Sequence, residues 1–99
     1  MSKAAIQRQN GRFSISGELT FATVTGILEQ SRGLFAQADE VIEVELGAVE
    51  RVDSAGLALL IEWLRLARDM NKSIRFSQLP EQMKAIAAAC DLDSILPLA

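Results

Sequence analysis

The sequence predicts a small α/β domain in which strands and helices alternate around one mixed sheet. Three observations carry this. Two short strand-like segments flank Asn10-Gly11. The run Val41 to Leu46 alternates apolar and acidic residues. A long apolar helix follows that run just past Asp53-Ser54-Ala55-Gly56. Strands alternating with helical segments point to an α/β layer architecture, and the hairpin supplies an antiparallel edge.

The first elements are Ala4 to Gln9 and Arg12 to Ser16, joined by Asn10-Gly11. That dipeptide suits a type I′ turn, in which both central residues need positive φ. Phe13 and Ile15 alternate with Arg12, Ser14 and Ser16, so one face of the second strand is buried. Gly17-Glu18-Leu19-Thr20 is expected to leave the sheet, with Thr20 as N-cap of a helix from Phe21 to about Gln37. Val24, Ile27, Leu28, Ser31, Leu34 and Phe35 share one stripe of that helix, which Gly26 and Gly33 weaken.

Val41 to Leu46 is the clearest strand, with Ile42, Val44 and Leu46 on the packed face and Glu43 and Glu45 on the wetter one. The central helix is expected from Ala55 to Met70. Successive residues lie about 100° apart on a helix, which groups Leu57, Leu60, Ile61 and Leu64. Trp63, Ala67, Met70, Leu59 and Leu66 flank them, and the polar side holds Ala58, Glu62, Arg65 and Asp69. So wide an apolar arc has two readings. The helix is wedged between the sheet and other helices, or part of the arc, Trp63 included, is left for a partner. Asn71-Lys72 ends this helix and Ser73 to Ser77 forms another strand. Pro80 opens a third helix, Glu81 to about Cys90, with Met83, Ile86, Ala87 and Cys90 on its apolar face. Ile95 to Leu98 is a final apolar stretch.

Composition narrows the function classes. The chain's 99 residues suffice for one domain, 1–99, with a modest core. At 49% hydrophobic and 23% charged it falls in the ordinary globular class. A net charge of -3 argues against nucleic acid as a partner, since phosphate backbones want a basic patch. The apolar run Leu57 to Ile61 is far too short for direct membrane insertion. Met1 to Ile6 contains no extended apolar segment of the signal-peptide kind. The single cysteine, Cys90, excludes an internal disulfide framework and reads as a small core residue. These features predict a reducing, cytoplasmic setting.

Nothing in the chain reads as catalytic machinery. It has no histidine, the commonest general base and metal ligand. It has no Gly-rich phosphate loop, no Cys/His metal spacing and no Gly-x-Ser-x-Gly elbow, so no enzyme, cofactor or metal is expected. The best-marked site is the turn into the central helix. Small polar residues at a helix start accept hydrogen bonds from unpaired N–H groups, and the helix dipole favours negative charge there. Ser54 is expected to cap the helix with its hydroxyl at the surface beside Asp53. Ala55 and Gly56 would let another protein's backbone approach, with Ala58 and Glu62 one and two turns further along the same side. The expected partner-binding set is Asp53, Ser54, Ala55, Gly56, Ala58 and Glu62. The alternative is that Ser54 is only a cap and Gly56 only a packing glycine.

Leu46-Gly47-Ala48-Val49, followed by Val52-Asp53-Ser54-Ala55-Gly56-Leu57, resembles the STAS domain family of sulfate-transporter tails and anti-sigma-factor antagonists. Gly17-Glu18-Leu19 is similar to that family's Gly-Glu-Leu-Asp, with Thr20 replacing the aspartate. The resemblance covers nearly the whole chain and implies the STAS fold. Arg51-Val52-Asp53 leading into Gly56-Leu57-Ala58-Leu59-Leu60 is similar to the small cytoplasmic STAS subunits of Mla-type phospholipid ABC transporters. That similarity implies a subunit that binds the transporter's ATPase, and through it the permease, and supports assembly and activity. The alternative implied by the family is an anti-sigma-factor antagonist, with Ser54 as phospho-acceptor and an anti-sigma kinase as partner. Ala55 stands where such antagonists usually carry a second serine or threonine.

Overall fold

The hairpin at Asn10-Gly11 forms as the sequence predicts: both residues have positive φ, 50° and 79°, and join β1 (Ala4–Gln9) to β2 (Arg12–Leu19). The computed structural model describes residues 3–98. Met1, Ser2 and Ala99, included in the expected domain of 1–99, lie outside the described residues. After β2 come α1 (Val24–Ala36), β3 (Val41–Val52), α2 (Ser54–Asp69), β4 (Ser73–Ser77), α3 (Glu81–Ala89) and a single 3-10 turn at Asp93–Ile95. The sheet order is β1-β2-β3-β4. β1 is antiparallel to β2, and the other two pairings are parallel. This is the mixed α/β fold expected.

The alternation in the strands decides where the core sits. Phe13, Ile15, Ile42, Val44, Leu46, Ile74 and Phe76 are buried under the helices in one continuous cluster. The other sheet face is polar. There Arg12 pairs with Glu43 at 3.2 Å and Glu45 at 3.6 Å, and Arg75 also meets Glu43. Aromatic rings run through the core in sequence: Phe13 against Phe35 at 5.0 Å, Phe35 against Trp63 at 5.7 Å, and Trp63 against Phe76 at 6.3 Å. Such edge-to-face and offset pairs are favoured beyond their burial alone. The far edge of β4 is partly covered, because the Phe76 N–H donates to the Pro97 carbonyl at 2.9 Å and Leu98 bridges to Phe76.

Several expectations are corrected. β2 does not leave the sheet at Gly17, and β3 does not stop at Leu46. The two continue side by side to the pair Leu19↔Val52. From Ser14 to Ser16 β2 advances two residues while β3 goes from Glu45 to Ala48, and a second shift follows between Gly17 and Glu18. Each bulge leaves an unpaired residue and breaks the period of two. That is why the buried positions change to Leu46, Val49 and Val52.

Because β2 runs on, α1 starts later than expected, at Val24 rather than Phe21. Thr23, not Thr20, occupies the cap position. Its hydroxyl donates to the Glu18 carbonyl at 2.6 Å and accepts from the Thr20 N–H at 3.0 Å, closing a tight turn. Cys90 is exposed rather than in the core, since α3 ends at Ala89 and the chain turns away through Asp91 at φ 57°.

Candidate functional site

The strand-to-helix turn is built around one carboxylate. Asp53 is the N-cap of α2, with extended backbone, and its Oδ1 accepts from the Ala55 N–H at 2.8 Å. Its Oδ2 accepts from the Phe21 N–H at 3.1 Å, and its own N–H donates to the Leu19 carbonyl at 3.2 Å. One residue therefore ends β3, starts α2 and anchors the loop before α1. The expectation that Ser54 caps the helix is corrected: Ser54 is the first helical residue and is exposed. A carboxylate satisfies an orphan N–H as well as a hydroxyl does and adds charge at the positive helix end, so Asp53 takes that position.

Gly56 is also not where the surface reading put it. It is buried, and a Cβ there would lie 2.8 Å from the Leu19 carbonyl oxygen and 3.2 Å from Leu19 Cβ. The missing side chain brings α2 against the end of β2 rather than making room for a partner. This contact also sets the helix's rotation. The buried face is Gly56, Leu57, Leu59, Leu60, Trp63 and Ala67, while Ile61 and Leu64, expected at its centre, are only half-buried. Trp63 is fully buried, and its indole N–H donates to Ser31 Oγ at 2.8 Å, so it is not left for a partner.

The remaining expected residues lie on one side of α2. Ser54 and Ala58 are exposed, Asp53, Ala55 and Glu62 half-buried. Ala55, Ala58, Leu59 and Glu62 form one wall of a cleft of about 140 Å³, and Val24 and Leu28 of α1 form the opposite wall. Val24 and Leu28, expected on the core stripe of α1, are half-buried and supply this second wall. Their spacing of four residues was the available signal, because such a pair defines a ridge without saying which side of it is covered. Also missed was Phe21, expected inside a helix but 88% exposed on the Asp53-anchored loop.

Among the described residues no group of His, Cys, Asp or Glu could hold a metal ion, and no helix is long and apolar enough to cross a membrane. On this side of α2 the surface is made by the small residues Ser54, Ala55 and Ala58.

Comparison with known proteins fits that arrangement. Residues 2–97 match the family described as "Mlab, STAS domain". The intermembrane phospholipid transport system binding protein MlaB of Haemophilus influenzae is 31% identical over 88 residues, covering 83% of each chain. Among solved structures, a chain of the Acinetobacter MlaFEDB complex in an ATP-bound conformation aligns with a TM-score of 0.81 at 24% identity, covering 96% of this chain and all of that one. The unphosphorylated anti-sigma factor antagonist SpoIIAA aligns with a TM-score of 0.72 at 16% identity, over 98% of this chain and 88% of that one. These structural matches establish a shared fold. The chain belongs to the MlaB group of the STAS-domain family.

Proposed function

We propose that this chain, as a single STAS domain over 1–99, is the non-catalytic cytoplasmic subunit of an Mla-type phospholipid ABC transporter. It binds the ATPase subunit, and through it the permease, and supports assembly and activity in lipid traffic between bacterial membranes. The observation that carries this reading is the 31% identity to the Haemophilus influenzae phospholipid transport protein over 83% of both chains. The docking surface is the exposed side of α2, with Ser54, Ala55, Ala58 and Glu62, and with Asp53 holding it in place. Small side chains at a helix start allow close approach of a partner at little cost in side-chain ordering.

Ala58→Arg tests the surface. Ala58 is exposed, so the variant should melt within a few degrees of the parent. An arginine there would block the cleft, and the ATPase subunit co-expressed from the same cell should no longer co-purify. Normal co-purification would remove this face from the interface. A second reading, an anti-sigma-factor antagonist, is favoured by one observation: Ser54 is exposed and open to a kinase. Recovery of a kinase-like anti-sigma factor with the chain, in place of an ATPase and permease, would select it.

A further inference from the structure

The sheet has two edges, and the chain covers only one of them. Pro97 and Leu98 lie along β4, whereas β1 ends the strand order with nothing beside it among the described residues. The hydrogen-bonding phase of β1 is fixed at both ends. The two-residue loop makes Gln9 and Arg12 exchange both their bonds, and at the other end the Lys3 carbonyl accepts from the Glu18 N–H at 2.7 Å. Lys3, Ala5, Gln7 and Gln9 therefore turn their backbone groups toward β2, and Ala4, Ile6 and Arg8 turn theirs outward. Natural sheets usually protect such an edge with a bulge, a proline or an outstanding charge. β1 has none of these. It pairs with β2 residue for residue from Ala4↔Gly17 to Gln9↔Arg12, it contains no proline, and its one charge, Arg8, lies over the Phe13 ring at 5.7 Å.

We propose that this edge receives a second copy of the chain, β1 against β1, in an antiparallel pair whose two-fold axis passes through Ile6. In that register Ile6 stands opposite Ile6 and Ala4 opposite Arg8. Every outward N–H of one copy then meets an outward carbonyl of the other. No other antiparallel register uses all three residues of both copies. The same register sets each Arg8 against an alanine, which keeps like charges apart. Ile6 is opposite Ile15 on the helix side of the sheet and only half-buried in the single chain, so pairing with its copy extends its burial. The helix above gives an independent reason. α1 packs on β1 and α2, and Leu28 faces α2 across the cleft. At about 100° per residue, Gly26, Gln30 and Gly33 lie roughly 140–160° around α1 from Leu28, on the side that overhangs the β1 edge. All three are exposed, and a Cβ added at either glycine would meet nothing within 4 Å. Nothing within one chain requires glycine there, where it weakens the helix. Across the two-fold axis this stripe faces its copy, and the missing side chains leave the two helices room to approach. The contact is the same patch on both copies, so it closes at a dimer. It lies on the far side of α1 from Ser54 and Ala58, and the two surfaces are independent.

The test follows association of the full chain by sedimentation equilibrium over a range of concentrations, with amide exchange read residue by residue. The parent should dimerise, and the amides of Ala4, Ile6 and Arg8 should exchange more slowly as concentration rises. Arg8→Pro removes an outward donor without breaking a bond to β2, and should weaken association at least tenfold. Gly33→Lys puts a long charged side chain on the stripe and should weaken association as much. It should also melt at or above the parent, because lysine favours a helix over glycine. If Arg8→Pro does not fold, Gly33→Lys and the amide pattern decide. A parent that associates more weakly than a Kd of about 1 mM overturns the proposal. So does a dimer in which those three amides are not slowed, or a folded variant of either kind that dimerises like the parent.

Discussion

Trp63 and Ser31 join the two helices that line the cleft, through a hydrogen bond of 2.8 Å from the indole N–H to Ser31 Oγ. Ser31 is the only fully buried polar residue among the described ones, and its hydroxyl in turn donates to the Leu28 carbonyl at 2.7 Å. Both polar groups are therefore satisfied inside an apolar core. The same contact fixes α1 beside α2, and so fixes the distance between Leu28 and Ala58 across the cleft.

Ser31→Ala should destabilise the domain by about 1–3 kcal/mol, the usual cost of leaving a buried donor without a partner. In a Trp63→Phe background the same substitution should cost much less, since no N–H is then stranded. Urea denaturation of the four proteins gives the coupling energy directly. Strict additivity would mean that this hydrogen bond does not link the helices energetically.

A second prediction follows from the cap belonging to Asp53. Asp53→Ala should cost about 0.5–2 kcal/mol, as loss of an N-cap does. Ser54→Ala should stay within about 0.5 kcal/mol of the parent, as exposed substitutions usually do. Chemical denaturation separates the two. Equal losses would put the capping role back on Ser54.

Much of the fold was legible because its signals are local. Asn10-Gly11 dictates a turn by its φ requirement, and Ile42, Val44 and Leu46 alternate without interruption. What the sequence hid was non-local. Nothing in Gly47-Ala48-Val49 tells of bulges that keep β3 paired with β2 as far as Val52, since the pairing depends on a partner strand some thirty residues earlier. The late start of α1 follows from that continuation, and Phe21's exposure follows from the late start. At the site, the small residues on α2 were legible from helical spacing. The cap was assigned one residue late, because Asp53 and Ser54 are both good N-caps and only the backbone decides between them. Gly56 was placed on the surface because a glycine records no direction, and its contact with Leu19 comes from a distant element.

Lys72 supports a third prediction. Its ammonium donates to the carbonyls of Phe35, Ala36 and Ala38 at 2.7, 3.0 and 2.8 Å. Those carbonyls stand at or just past the C-terminal end of α1, where the dipole is negative, and the Phe35 carbonyl also accepts from the Ala38 N–H at 3.1 Å. Lys72→Met keeps most of the stem and removes the donors and charge, and should lower stability by about 1–3 kcal/mol. Lys72→Arg should recover only part of this, since a planar guanidinium cannot converge on three carbonyls as a compact ammonium does. Full recovery by arginine would reduce the interaction to charge alone. The melting temperatures of both variants decide it.

The last prediction separates folding from recognition at Ser54. This residue opens α2 with an exposed side chain, and the capping is done by its neighbour. An aspartate at this position places a carboxylate at the positive end of the helix, which favours folding by about 0.3–1 kcal/mol. The Asp53 carboxylate beside it opposes that gain, so Ser54→Asp should melt close to the parent. Binding is a different matter. On a docking surface the new carboxylate would lose its water against the partner, next to a first carboxylate already engaged by two N–H groups. A charge buried without a partner is expensive. Ser54→Asp should therefore fold normally and lose the ATPase subunit, together with its support of transport. Ser54→Ala keeps the surface small and uncharged, and should fold and bind much as the parent does. Melting temperature and partner affinity, measured on both variants, give the answer. Parental affinity in Ser54→Asp would mean that the partner does not cover this residue, and the interface would have to begin further along α2, at Ala58.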